Sequence, residues 1–248
     1  MVQFVFNRRV DRCILLRMAS SETRPTRASA RRAREREIVA ATRELFDERG
    51  LQDAPIEDIA RAVGINKALI YRHFSSKEEL FVLTLTSYLA DLAAELEGVD
   101  PGLAPAAELE EGWRRYTDYC LVHPAFLDCS LSLMRRPASE LQESVSDAVW
   151  FRLGQGMASC LGRLSRMLER GAQEGVFDVV DPDFTANHLY TQTLGTMHLA
   201  RIGVGVREAA GGIAEPFPID PAQVQAACIA DALASVGAPR PPALTPDA

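Results

Sequence analysis

Between residues 31 and 97 apolar side chains recur every three to four positions, in short runs separated by glycines and polar caps. Ile38, Ala41 and Leu45, with Phe46 beside them, share one stripe, which is the period of an amphipathic helix. Gly50 stands where that helix would end, at the position that favours a positive φ. Ile56, Ile59, Ala60 and Val63 form a second, shorter set, closed by Gly64. Asn66 suits the N-cap of a third short helix, Lys67 to Phe74. Ser76 and Glu79, spaced S-x-x-E, open a longer helix as a capping box does. Leu80, Leu83, Ser87 and Asp91 trace one of its faces; Leu85, Leu89, Leu92 and Leu96 trace another. This helix is therefore expected to be contacted from more than one side.

Beyond it the chain reads as helix after helix. Pro105 begins a segment ending near Val122, and Pro124 and Pro137 sit where a first helical residue would. Asp181-Pro182 and Asp220-Pro221 repeat one start signal, an Asp cap followed by Pro. Residues 207–219 hold Gly211-Gly212 and Pro216-Phe217-Pro218 and read as a loop. No segment of strand period stands out, and no repeat of solenoid length is present. The pattern predicts an all-α chain of about nine helices. Residues 1–30 are expected to form a disordered basic arm, 31–90 a three-helix unit, 91–237 a helical body and 238–248 a disordered tail.

Composition narrows the function. The chain has 248 residues, 47% apolar and 25% charged, the balance of an ordinary globular protein, and no apolar run approaches the roughly 18 residues needed to span a bilayer. The net charge of −7 is unevenly spread. Residues 1–82 carry 16 basic against 12 acidic side chains, and 83–248 carry 11 against 22. A basic head on an acidic body is the pattern of a chain whose one end meets nucleic acid or a charged surface. The five cysteines are odd in number and form no CxxC pair, which argues against a disulfide framework or a zinc ribbon.

Two short helices joined at Gly64 suggest a helix-turn-helix, in which the first helix braces the second in the major groove. Ile59, Val63, Ile65 and Ile70 would pack the pair together. Lys67, Ala68, Leu69, Tyr71, Arg72 and His73 are left as candidates for the DNA-facing side. Arg31, Arg32 and Arg34 could add phosphate or minor-groove contacts.

The segments IVAATRELF (38–46), IEDIARAVGINKALIYRHF (56–74) and SKEEL (76–80), with Gly50 between the first two, carry a resemblance. Residues 31–90 resemble, without gaps, the DNA-binding domain of TetR/AcrR-family transcriptional regulators. The resemblance implies that Lys67, Ala68, Leu69 and Tyr71 meet DNA, and that Tyr71, His73 and Lys77 touch phosphates. Three residues depart from the family pattern. Pro55 stands where a capping Thr or Ser is common, leaving Asp53 as the nearest capping side chain. Glu57 replaces a basic or polar residue, and near DNA it would repel phosphate or accept from a cytosine amino group. Leu69 replaces Thr or Ser and offers only apolar contact.

For the body, the resemblance implies a homodimer with a small-molecule pocket. Helices over 182–206 and 221–236 are the interface candidates, through Gly195 in the first and Ala226, Ile229, Leu233 and Val236 in the second. The same stripes would equally suit the chain's own core. Trp113, Tyr116, Tyr119, Phe126, Met134, Trp150, Met157, Tyr190 and Met197 concentrate aromatic and soft side chains there, as pocket lining or as plain core.

The expected function is a transcriptional regulator, most simply a repressor. It would hold a palindromic double-stranded DNA operator as a dimer and let go when a small, largely apolar effector binds. It would work in the bacterial cytoplasm, at the nucleoid, with no cofactor, metal or membrane. The competing reading is a helical enzyme or a protein-interaction module without sequence-specific DNA binding. The chain has no GxSxG, HExxH or Walker A motif, and His73, His123, His188 and His198 are dispersed.

Overall fold

The computed structural model describes residues 26–50 and 54–238. Most of the expected arm, Asp53, and the tail beyond Ala238 lie outside these residues. The described elements are α1 (Arg27–Arg49), α2 (Ile56–Ala62), α3 (Lys67–His73), α4 (Lys77–Glu97), α5 (Pro105–Val122), α6 (Pro124–Met134), α7 (Ala138–Ser144), α8 (Asp147–Gln173) and α9 (Pro182–Ile202). The strands β1 (Val204–Ala209) and β2 (Ile213–Pro218) and the helix α10 (Pro221–Ser235) complete the described elements. No described helix is long and apolar enough to cross a membrane.

The described residues fall into two compact units that divide between Arg36 and Glu37. In the first, Arg27–Ala30 already form the opening turn of α1, so helix begins inside the segment expected to be disordered. Arg31 there pairs with Glu35 at 2.8 Å, one turn on.

In the second unit, α1 buries Ile38, Leu45 and Phe46 as the sequence implied, and with them Thr42 rather than Ala41, the Thr42 hydroxyl donating to Ile38 O at 2.7 Å. Arg43 leaves the same helix to bond Asp91 and Ser87 on α4 and the Tyr119 hydroxyl on α5, with its guanidinium 4.2 Å from the Tyr88 ring centre. Helix α4 packs along α8 and against α5 and α6, as its two apolar faces require. Helices α5, α8, α9 and α10 form the body, with Trp113, Leu109, Leu168, Leu194 and Val236 fully buried between them. The Trp113 indole N–H donates to Thr193 Oγ1 at 3.0 Å, so the largest core side chain leaves no polar atom stranded. Glu108 is 2% exposed and sits 3.1 Å from Arg163 and 2.8 Å from Arg170. A carboxylate this deep is tolerable only with such partners.

The repeated Asp-Pro starts behave as expected. Asp181 accepts from Phe184 N–H at 2.9 Å and Asp220 from Ala222 N–H at 3.0 Å, each with Pro at the helix start.

One expectation is corrected: residues 207–219, read as a loop, belong to an antiparallel hairpin over 204–218, and among the described residues the other regular elements are helices. The register pairs Val204 with Pro218, Gly205 with Phe217 and Arg207 with Glu215. Pro216 and Pro218 mask the strand because they lack N–H groups. Spaced two apart, they fall on one side of a ladder in which both strands are edges, so no pairing bond is lost. Arg207 and Glu215 face each other at 2.7 Å, and the Phe217 ring covers Gly205, where a Cβ would lie 2.4 Å from it.

Candidate nucleic-acid interface

The turn between α2 and α3 is built from few residues. Val63 caps α2, and Gly64 follows at φ +66°, a backbone state that L side chains rarely adopt. Gly64 N–H then bonds Arg61 O at 3.1 Å and Ile65 N–H bonds Ala60 O at 2.9 Å, closing the helix as a Schellman motif. Asn66 starts α3 at once, its side chain accepting from Leu69 N–H at 2.9 Å. Ile59 and Ile70 are buried and Val63 and Ile65 half-buried against the same core, so α2 braces α3 as the spacing implied.

That packing fixes which side of α3 faces out. Lys67, Ala68, Tyr71 and Arg72 are exposed, while Leu69 and His73 are half-buried. Tyr71 keeps 42% of its surface, a large value for an aromatic ring on a short helix. Lys77 is exposed on the first turn of α4. These side chains form one outward, mostly cationic face. A phenol, two ammonium groups and a guanidinium can all donate to phosphate oxygens. Arg31 and Arg32 are exposed on α1 within the other unit, and Arg34 there is half-buried.

Pro55 is the N-cap of α2 and makes no side-chain capping bond, so the hydroxyl contact a Thr or Ser would supply is absent. Glu57 has a role that the sequence reading missed. Its carboxylate lies 2.6 Å from Lys67 Nζ. The hydrogen bond to Lys67 holds the Glu57 carboxyl below its usual range, and the same bond pushes the Lys67 ammonium up. The departure at 57 thus occupies a cation at the start of α3. Opposite charges ten residues apart were the available signal, but a spacing of ten across a turn says nothing of proximity without the turn's geometry.

Glu79 anchors this face to the body. Ser76 Oγ accepts from Glu79 N–H at 3.0 Å, one half of the expected capping box. The other half differs. The Glu79 carboxylate reaches the backbone N–H and hydroxyl of Ser75, one residue earlier than a capping box requires, and accepts from Ser146 Oγ at 2.6 Å. Burial pushes its carboxyl up, but the bonds from Ser146 and Ser75 outweigh this and hold it below the usual range. Ser146 caps α8, so one carboxylate ties the start of α4 to the body.

The body candidates sort by burial. Trp113, Tyr116, Tyr119, Phe126, Tyr190 and Met197 are buried, Trp150 and Met157 half-buried, and Met134 is 45% exposed. Tyr116 stacks on Tyr190 at 6.0 Å and meets Trp113 edge-on at 6.1 Å, while Tyr119 meets Phe126 edge-on at 5.3 Å. In this conformation these rings fill one another's space, as core does. Among the interface candidates, Leu233 and Val236 are buried in the chain's own core, so that half of the α10 stripe faces inward. Gly195 is exposed, and Ala226 and Ile229 are half-buried. Phe184, His188, Gly195, Leu199 and Ile202 form an exposed stripe on α9 at spacings of three, four and seven. The Phe184 and His188 rings stack there with 5° between their planes.

Residues 38–83 match the family model described as bacterial regulatory proteins, tetR family. The A-factor receptor protein of Streptomyces griseus is 25% identical over 181 residues, 73% of this chain and 59% of the relative. The HTH-type transcriptional repressor KstR2 of Rhodococcus jostii is 39% identical over 83 residues, 33% of this chain and 41% of that one. The chain thus spans about three fifths and two fifths of these two relatives. RolR, solved in complex with the ligand resorcinol, superposes with a TM-score of 0.61 at 18% identity, over 86% of this chain and 91% of its own, a likeness of fold.

Proposed function

We propose, for a chain that belongs to the TetR family of bacterial regulatory proteins, that it is a DNA-binding transcriptional repressor. It acts as a homodimer on a palindromic operator and responds to a small molecule. The observation that carries the reading is the outward face of α3 and the α4 start, where Lys67, Ala68, Tyr71, Arg72 and Lys77 are all exposed beside a Schellman turn. Tyr71, His73 and Lys77 position the head on phosphates, while Lys67, Ala68 and Leu69 reach base edges. Arg31, Arg32 and Arg34 are further candidate contacts to phosphate or the minor groove.

The apolar stripe of Phe184, Leu199 and Ile202 on α9, with Gly195 between them and Ala226 and Ile229 on α10, supplies the self-complementary patch that a two-fold dimer needs. Such a dimer sets two recognition helices a whole number of DNA turns apart. RolR binds a phenolic ligand, which supports an effector site in this chain too. The effector shifts DNA affinity only by as much as it prefers one spacing of the heads over the other.

The test is binding to the DNA upstream of the protein's own coding region at two salt concentrations, with footprinting. A protected palindrome with strong salt dependence is expected. Tyr71→Ala and Lys77→Ala should weaken binding to all sequences, and Lys77→Ala, which removes a charge, should also flatten the salt slope by about one unit. Unchanged affinity in Tyr71→Ala or an unchanged slope in Lys77→Ala refutes the assigned contact, and absence of binding to any DNA at low salt refutes the reading.

A further inference from the structure

Where α1, α2 and α4 meet α6 and α7, a cleft of about 220 Å³ opens between the helix-turn-helix and the body. Its floor is apolar: Phe46 from α1, Ile59 from α2 and Leu133 from α6 line it. Three charged side chains stand at its wall, Lys77 and Glu78 from the first turn of α4 and Arg136 from just beyond α6. Two cations against one anion leave the wall with a surplus of one positive charge. Neither the Lys77 ammonium nor the Arg136 guanidinium makes a hydrogen bond or ion pair among the described residues, although many other arginines of the chain are paired.

An apolar floor beside two cations that make no hydrogen bond or ion pair among the described residues is complementary to one ligand chemistry. We propose that this cleft binds a compact organic acid, with its apolar part on Phe46, Ile59 and Leu133 and its carboxylate held by Lys77 and Arg136. The volume is below the roughly 300–1,000 Å³ of drug-sized pockets, which selects a small occupant. The guanidinium supplies a planar donor fork for the carboxylate, and the ammonium supplies a point charge. The position gives the site a consequence, which rests on the function proposed above. Lys77 is also assigned to a DNA phosphate, so a carboxylate that engages it competes with DNA. By linkage, DNA must weaken the acid by the same factor as the acid weakens DNA.

Octanoate and octan-1-ol, equal in chain length and different in charge, separate the two halves of the argument. Calorimetric titration of the full chain without DNA should show saturable octanoate binding, about tenfold or more tighter than octanol. Arg136→Gln should weaken octanoate about fivefold to tenfold and leave octanol unchanged. Leu133→Trp, which fills the floor, should abolish both. Equal affinity for acid and alcohol, or wild-type octanoate binding in either variant, overturns the site. With a footprinted DNA, octanoate should lower affinity in the wild type and much less in Arg136→Gln. Octanoate binding that leaves DNA affinity unchanged overturns the competition. Octanoate binding in a protein that binds no DNA at all refutes the regulator reading and leaves the site standing.

Discussion

Glu79→Ala should loosen the joint between the DNA-binding face and the body by an amount the structure sets. The carboxylate, 7% exposed, accepts from the Ser75 backbone N–H, from Ser75 Oγ and from Ser146 Oγ. Hydrogen bonds to a charged group contribute about 1.5–3 kcal/mol each, a gross of roughly 5–9 kcal/mol for three. Two corrections reduce that figure. Ser75 and Ser146 are exposed and regain water when the carboxylate leaves, and the variant no longer bears the cost of a buried charge. A net loss of about 2 kcal/mol follows. For a chain of this size that is a fall in Tm of about 4–8 °C.

The pH dependence has a definite sign. The folded carboxyl titrates below its ordinary value of 4.5. Its contribution is therefore complete above pH ~4.5, and it disappears as pH falls through the lower folded pKa. Thermal melts of wild type and variant at pH 7 and pH 3, at one protomer concentration, measure both effects. Ser146→Ala removes one bond of the three and should give about a third of the loss. The double variant should lose less than the sum of the two, because the bond they share can be lost only once. A Tm difference below 1 °C at pH 7, or one equally large at pH 3, would show that the carboxylate does not hold the joint.

Two further substitutions test other parts of the reasoning. Glu57→Gln releases Lys67 from its 2.6 Å ion pair, so binding to random DNA should tighten and the slope of log affinity against log salt should steepen by about one unit. Fluorescence anisotropy across a salt series reads this, and an unchanged slope would mean that the freed Lys67 ammonium does not reach the DNA. Gly171→Ala places a Cβ 1.9 Å from the buried Phe177 ring, so the ring must leave its site beside the end of α8. Overpacking of this kind costs about 1–3 kcal/mol, readable as a urea midpoint shift, and a variant as stable as wild type would mean that the ring has room to turn.

Local chemistry made most of the head legible. The stripe of Ile38, Leu45 and Phe46, the Gly64 turn, the Asn66 cap and the Asp-Pro starts at 181 and 220 each act within four or five residues. Helical period, positive φ and capping are properties of short segments, so they can be read along the chain. The exposed side of α3 followed as well, because Ile59 and Ile70 left only one other face.

What the sequence could not decide were contacts between residues far apart in the chain. Glu57 meets Lys67 across a turn, Glu79 meets Ser146 across 67 positions, and Phe46 shares a cleft with Leu133 and Arg136. The same limit explains the hairpin, whose prolines look like loop until a partner strand places them on the side that needs no bond. It explains the body too. Leu233 and Trp113 are apolar in a way that suits core, interface or pocket equally, and only packing assigned both to the core. Period and capping are set by the nearest turns of backbone, whereas pairing and burial depend on how the helices cross, which no single stretch of residues specifies.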